Sequence, residues 1–470
     1  MFKRQLFILS AYFSVVIIGF VISLFHNETE FKPVKDKEYT VRAKIERRRT
    51  LTNCEMYNLH ILTVDDVKCK DNTILFASAK EVFNPGEEIM FSSQLYEKTS
   101  DSIKKSISLS NSSTLIASTT IKGNAIKVKN AGPVRQLFNE LSSSIVIAIE
   151  KSGLSKDTQG ILKALIIGDR SSLSKDKISL FRDAGVIHIL ALSGMHIGII
   201  AGIIMWLTLP LNLLSYRKYR YVIVIITVWF FVLLTGSAYS TIRAGIMITL
   251  TMVAMILDRP RDAFSICCFS AFFMIIIWPD VITDIGFQLS FLSVMMLTLL
   301  ADPLNPIPHR QNPKLFRIYS IIISTFIATG ITWILSAYHF GSAPVSFLPA
   351  NIIILPILPF YLVACIVYLL LALIGVEFYA FRLILDSFPE LAYKFLAVAG
   401  MPQLEIKVGW ITLSLWLLAF LSLSISVRKL RNKYVVAGSM NRPVQNVDLK
   451  WILVAGICLT ASLILIPYQI

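Results

Sequence analysis

Charge is what this sequence has least of. Charged residues make up 16% of its 470 positions and hydrophobic ones 55%, where a soluble domain carries roughly 25% charge. Histidine is scarce as well. The six present form no HxHxDH-like cluster, and no second Cys/His pair stands at zinc-ligand spacing, so a metallo-hydrolase has no ligand set. There is no GxxxxGK[ST] loop to cradle nucleotide phosphates. The reading is therefore of a chain without metal or other cofactor and without an enzyme's motif; energy for transport must come from elsewhere. Cysteine is limited to six. Cys267, Cys268, Cys365 and Cys458 lie in apolar runs, where a thiol behaves as a small hydrophobe. Cys54 and Cys69 lie in a polar region and are candidates for a disulfide if that region faces an oxidising compartment. Closing that loop would contribute roughly 3 kcal/mol.

What the sequence has in abundance is apolar runs of about 18 or more residues. They define a mainly α polytopic membrane protein. The run 5–25 follows Lys3 and Arg4, is long for a signal-peptide core and has no small-residue cleavage site nearby; it reads as a first span with a cytoplasmic N-terminus. Further spans are expected at 187–211, 221–235, 241–257, 263–278, 284–300, 318–338, 410–427 and 451–467, about nine in all. The net charge of +15 sits largely in the short loops "SYRKYR" (215–220), "DRPRD" (258–262), "HRQNPKLFR" (309–317) and "RKLRNK" (428–433). Lys and Arg collect in cytoplasmic loops, so the charge reports orientation before it reports nucleic acid. Loop parity then requires the apolar block 346–375 to start and end outside. With Pro349, Pro356 and Pro359 inside it, a broken or re-entrant element is expected, or else a kinked pair of spans.

Four regions follow: the first span (1–26), a β-rich extracytoplasmic region (27–132), amphipathic helices at the outer surface (133–185) and the membrane domain (186–470). In the β-rich region "YTVRAKI" alternates, and "TILFASAK", "EEIMFSSQLY" and "NAIKVK" read as further strands between turns. Five or six short strands in about a hundred residues fit a small OB-like barrel. The one basic cluster there, "KIERRRT" (44–50), reads as a solvated loop.

Polar residues inside the apolar runs carry the chemistry, because lipid makes them costly. In "VIHILALSGMHIGIIAGIIMWL" (186–207), Gly194, Gly198 and Gly202 fall on one helical face at i, i+4, i+8, which permits close helix packing. Ser193 and His196 lie within about 60° of each other on roughly the opposite face. Intramembrane serine hydrolysis needs the base oriented by a third group, and no carboxylate stands nearby. In "TGSAYSTIRAGIMI" (235–248), Arg243 begins a helix and either snorkels to the interface or lines an anion path. Asp284 and Gln288 share a face at i, i+4; Asp284 can complement a helix N-terminus, while Gln288 has no such reason to be in hydrocarbon. His339 reads as interfacial.

The segments "LIIGDRSSL" (165–173), "FRDAGVIHILALSGMHIGIIAG" (181–202), "LLTGSAYSTIRAGIM" (233–247), "DIGFQLSFLSV" (284–294) and "FGSAPVSFLPANIIILPILP" (340–359), in this order, resemble the ComEC competence family, inner-membrane channels for DNA uptake. The resemblance implies passage of single-stranded DNA into the cytoplasm of a bacterium. It implies partners too: a separate cytoplasmic motor, a DNA receptor, a separate nuclease, membrane lipid and a second copy of the chain. Asp169, Arg170, Ser193, His196, Arg243, Asp284 and Gln288 match motif positions and become candidates for lining the path. Gly168, Gly194, Gly198, Gly245 and Gly286 also match; Gly194, Gly198, Gly202, Gly245 and Gly286 are the candidate packing positions. Many members carry a C-terminal metallo-β-lactamase-like domain; the expectation here is a form lacking it. The alternatives are a transporter of another solute, anionic in kind, and a non-transporting remnant.

Overall fold

The computed structural model describes residues 38–50, 54–65, 67–68, 72–78, 83–97, 115–117, 126–212, 216–304, 313–340, 342–343, 347–373, 376, 379–400, 404–405 and isolated positions between 409 and 422. The expected spans 5–25 and 451–467, most of 410–427, and Cys69 with its disulfide lie outside the described residues.

Alternation builds the sheet. In β1 (Glu38–Thr50), Tyr39, Val41, Ala43 and Ile45 point inward and are buried, while Lys44 and Glu46 are exposed. β1 pairs antiparallel with β2 (Cys54–Val64) and with β5 (Glu88–Glu97). β2 also pairs with β3 (Val67–Lys68) and β4 (Asn72–Ser78). β6 (Leu115–Ala117) runs parallel to β4 and antiparallel to β5, and β7 (Ile126–Lys129) pairs with β5. The pairing therefore closes on itself through β1, β2, β4, β6 and β5. Tyr57, Leu59, Ile61, Leu75, Ile89 and Phe91 fill the inside. The basic cluster is not a loop, as its charge predicts, but the end of β1. The ladder shifts register between Ile45 and Arg47, and Arg47, Arg48 and Arg49 then pair with Asn58, Tyr57 and Met56. Backbone pairing satisfies the donors and acceptors of this end of the strand.

Three amphipathic helices follow, as expected: α1 (Pro133–Lys151), α2 (Lys156–Ile166) and α3 (Lys175–Asp183). Pro begins α1, where its missing N–H costs nothing. Ser155 and Ser174 cap α2 and α3 by accepting from Thr158 and Lys177 backbone N–H groups. Apolar helices come next: α4 (Gly194–Leu207), α5 (Arg217–Leu234), α6 (Tyr239–Ile256), α7 (Ala263–Ile277), α8 (Ile285–Leu304), α9 (Pro313–Phe340) and α10 (Phe347–Leu373). Among the described residues, three stretches are long and apolar enough to cross a membrane: Tyr239–Ile256, Ile322–His339 and Pro349–Ala372. Gly194–Leu207, Ala263–Ile277 and Ile285–Leu300 are apolar but shorter.

Two further features depart from the sequence reading. The block 346–375 is not broken: α10 continues through Pro356 and Pro359. Pro349 falls in the first turn, where no intrahelical donor is needed. The two interior prolines each remove one donor, yet Ala350, Ile354, Leu358, Leu362 and Cys365 hold the helix by packing along one side. The second departure is α11 (Tyr379–Ala399), which the hydropathy pattern did not reveal.

Packing groups the helices. α1, α2, α3, α10 and α11 share one core. α4, α5 and α6 share a second with Phe138 of α1. α7, α8 and α9 meet around Phe264, Met296, Leu300 and Ile327. α1 also joins the sheet to the bundle. Asn139 Nδ2 donates to the Pro85 carbonyl at 2.9 Å, and Ser142 Oγ donates to the Leu234 carbonyl at 3.3 Å. Arg135 lies between two glycines in left-handed conformation: a Cβ on Gly86 (φ +92°) would stand 2.9 Å from its Cγ, and one on Gly236 (φ +83°) 3.5 Å from its Nη2. At the bundle's far end Arg217 pairs with Asp258 at 2.5 Å, and Arg220 donates to Asn212 Oδ1 and the Met205 carbonyl.

Candidate functional site

The residues singled out in the sequence converge at the end of the bundle nearer the sheet, where α4, α6 and α8 begin. The first component is the turn after α2. The Lys163 carbonyl accepts from the N–H groups of Ile167, Gly168 and Asp169. Gly168 has φ +87°, and a Cβ there would stand 2.7 Å from Leu192 Cδ1. Both facts demand glycine. Asp169 Oδ1 accepts from the Ser171 N–H at 2.9 Å, and Arg170 Nε donates to the Leu190 carbonyl at 2.9 Å. The turn is thereby fastened to the segment leading into α4.

That segment is not a continuation of a long span. A 3-10 turn at Ile187–Ile189 precedes the helix, and α4 starts only at Gly194. Ser193 is therefore the N-cap, not a mid-helix residue. His196 occupies the third helical position. Its Nδ1 accepts from the Ser193 N–H at 3.2 Å, so it carries no proton, and the Ser193 hydroxyl, 3.0 Å away, donates to the same nitrogen. Histidine does here what Glu or Gln does in a capping box. His196 is 0% exposed, and its Nε2 has no hydrogen-bond partner among the described residues. A buried donor without an acceptor costs about 1–3 kcal/mol.

Next is α6. Gly236 (φ +83°) and Ser237 (φ +56°) make a left-handed turn after α5. Ser240 Oγ then donates to the Leu192 carbonyl at 2.9 Å, and a Cβ on Gly194 would touch Ala244 Cβ at 3.5 Å. These contacts place the N-termini of α4 and α6 side by side. Arg243, buried one turn into α6, donates from Nη1 to the Gly286 carbonyl at 2.9 Å, with its guanidinium 5.6 Å from the Phe291 ring centroid. It reaches across to α8 instead of snorkelling to solvent.

α8 is the third component. Asp284 Oδ1 accepts from the Phe287 N–H at 2.7 Å and caps the helix, as its position predicts. Asp284 also acts electrostatically on Arg243. Gln288 Nε2 donates to the Ile282 carbonyl at 2.9 Å, and its Oε1 lies 2.9 Å from His339 Nε2 on α9. His339 belongs to the cluster; as a lone histidine at the end of an apolar run it gave no signal beyond an interfacial one. Ser240 belongs to the polar turn that the sequence marks with Gly236, Ser237 and Thr241; its acceptor, the Leu192 carbonyl, is what the sequence does not give.

The packing glycines behave differently from one another. Gly245 is close-packed: a Cβ there would meet Val232 Cγ2 at 3.3 Å. Around Gly198 and Gly202 a Cβ would meet nothing within 4 Å, so the described part of this chain does not use that seam. Gly286 is exposed, and a Cβ there would stand 3.1 Å from Asp284 Oδ1.

Chemically, most of these polar groups hold backbone carbonyls and so fix the helix starts relative to one another. What the frame presents is the positive end of three neighbouring helix dipoles, with Arg170 and Arg243 among them. Helix N-termini with arginines suit an anion. Comparison with known proteins bears on the same stretch. ComE operon protein 3 of Bacillus subtilis (strain 168) is 28% identical over 216 residues, which is 46% of this chain and 26% of that relative. The chain thus matches about a quarter of that relative's length. No solved structure matches. The model of the competence protein family matches residues 165–432, more than half of the chain, and takes in every component of the cluster from the Gly168 turn to His339; the chain belongs to the ComEC competence family.

Proposed function

We propose that this protein conducts single-stranded DNA across the bacterial cytoplasmic membrane into the cytoplasm during natural transformation. The observation that carries this is the adjacency of three helix N-termini, those of α4, α6 and α8, bound together through Ser240 and Arg243. A polyanion entering the bundle meets positive dipole ends and guanidinium groups there. The buried Nε2 of His196 gains an acceptor when a phosphate or a water file occupies the path. Asp169, Arg170, Ser193, His196, Arg243, Asp284 and Gln288 are the residues assigned to this end of the path. Gly194, Gly198, Gly202, Gly245 and Gly286 are its packing positions; at Gly198 and Gly202 the reading requires a partner other than the described chain.

The topology that fits is multi-pass, with about nine spans, a cytoplasmic N-terminus and the β sheet outside; the basic far end, with Arg217 and Arg259, is then cytoplasmic by the positive-inside rule. The closed pairing of five strands with one parallel pair supports an OB-like barrel for the sheet. The chain acts as a conduit and not as an enzyme. It needs a separate motor in the cytoplasm, a DNA receptor and a nuclease for the other strand. The test is deletion of the chain, followed by measurement of fluorescent DNA reaching the cytoplasm, with re-expression as control. Loss of cytoplasmic DNA with external DNA capture intact is expected. Unchanged entry would refute the reading, and entry lost together with flux of a small anion would favour a solute transporter.

A further inference from the structure

We propose that α10, despite its apolar length, does not cross the membrane: the α10–α11 hairpin lies against the bilayer leaflet on the sheet's side, with α11 at the headgroup boundary. This rests on the reading that α6 and α9 span the bilayer.

The argument begins with where the ends of α10 are held. It starts seven residues after Phe340, the last residue of α9, whose His339 is bonded to Gln288 at the candidate site. Near its other end the Tyr368 hydroxyl donates to the Ser152 carbonyl at 3.0 Å, in the loop between α1 and α2. The same loop receives α11: the Ser155 N–H donates to Asp386 Oδ1 at 2.9 Å. Between the sheet and Ser152 the chain has only α1, whose Arg135, Glu140, Glu150 and Lys151 make it too charged to carry the chain through hydrocarbon. The loop is therefore on the sheet's side of the membrane, and so are both ends of α10.

The faces agree. One side of α10, from Ala350 through Leu358 to Cys365, is buried in the core shared with α2, α3 and α11. The other side shows Ile353, Ile357 and Phe360, the last 78% exposed. α11 has three faces. Leu385, Pro389, Ala392 and Leu396 are buried. Arg382, Asp386, Glu390 and Lys394 form a stripe at i, i+4, i+8, i+12. Ile384, Leu391 and Val398 form a third, apolar and outward, with Val398 88% exposed. A charged stripe alongside an exposed apolar stripe is the surface of a helix lying in the interfacial plane. The occupant that fits is lipid, since both helices of the hairpin turn apolar side chains outward, Ile353, Ile357 and Phe360 on α10 and Ile384, Leu391 and Val398 on α11, in a chain with helices apolar enough to span a bilayer.

The experiment uses the full-length protein in spheroplasts and in inverted membrane vesicles. A protease-recognition sequence is inserted after Val376, an exposed position in the connection between the two helices, with parallel insertions after Lys175 and after Arg261 as the two reference sides. Cleavage at Val376 in spheroplasts, together with Lys175 and opposite to Arg261, is expected. Cleavage at Val376 only in inverted vesicles, together with Arg261, overturns the proposal and makes α10 a span. Failure of Lys175 and Arg261 to separate refutes the membrane topology itself. As a second measurement, Val398→Cys and Glu390→Cys carry an environment-sensitive dye in phosphatidylethanolamine–phosphatidylglycerol vesicles. Quenching of the Val398 dye by a lipid-borne nitroxide, and of the Glu390 dye by aqueous iodide, is expected. Equal quenching of both by iodide overturns the lipid contact, as does shielding of Val398 from both quenchers, which marks a protein partner.

Discussion

Arg243 and Gly286 are joined by a 2.9 Å hydrogen bond from guanidinium to carbonyl, so the first turn of α6 and the first turn of α8 are one unit. A hydrogen bond from a charged donor contributes about 1.5–3 kcal/mol. Replacing Arg243 by Gln removes the charge from this bond. Arg243→Gln should lower stability by about 2 kcal/mol, read as a fall in the unfolding midpoint of detergent-solubilised protein. Arg243→Lys keeps the charge but not the planar fork, and should fall between. DNA entry should follow the same order, with at least an approximately tenfold drop for Gln.

His196 performs two separable tasks. As a capping group it can be replaced by Gln, the usual residue at that position; His196→Gln should unfold within about 0.5 kcal/mol of the parent, and His196→Ala about 1 kcal/mol below it. The imidazole Nε2 is another matter. Entry of labelled DNA is expected to drop in both variants. Full entry through His196→Gln would reduce the histidine to a cap.

Gly168 combines positive φ with a neighbour at 2.7 Å. Gly168→Ala should cost about 1 kcal/mol for the backbone conformation and more for the collision with Leu192. Adding Leu192→Ala should recover the collision part while leaving the backbone part, beyond the separate cost of that truncation. Thermal unfolding of the two single variants and the double variant measures this as a coupling energy.

Among the described residues, Gly198 and Gly202 face open space. Gly198→Leu should change the stability of the isolated chain by less than about 0.5 kcal/mol. If the seam joins two copies, the same substitution abolishes chemical cross-linking of the dimer in membranes. A loss of several kcal/mol in the monomer would mean that an undescribed part of the chain covers the seam.

Much of this architecture is visible in the sequence because apolar periodicity is strong and local. The inward positions of β1 and the helices from α4 to α9 follow from it, and Asp284 announces the start of α8. The failures share a physical origin: packing between distant segments. The charges of α11, spaced four apart, interrupt its apolar pattern, while the residues it buries, Leu385 and Leu396, share their core with α2, more than two hundred residues earlier in the chain. Pro356 and Pro359 forecast a break that one-sided packing prevents. Treating 187–211 as one helix put Ser193 and His196 on a polar face; the 3-10 turn makes them a cap instead. The site residues themselves could be chosen from sequence, being polar groups in lipid, but the bonds between them could not.

The position of Arg135 has a mechanical consequence. Its stem abuts Gly86 in the sheet and its guanidinium abuts Gly236, seven residues before Arg243. Gly86 leaves no room for a side chain against that stem, whereas Gly236 would admit one at ordinary contact distance. A single side chain thus touches both the sheet and the α5–α6 turn, and any residue other than glycine at position 86 must displace it.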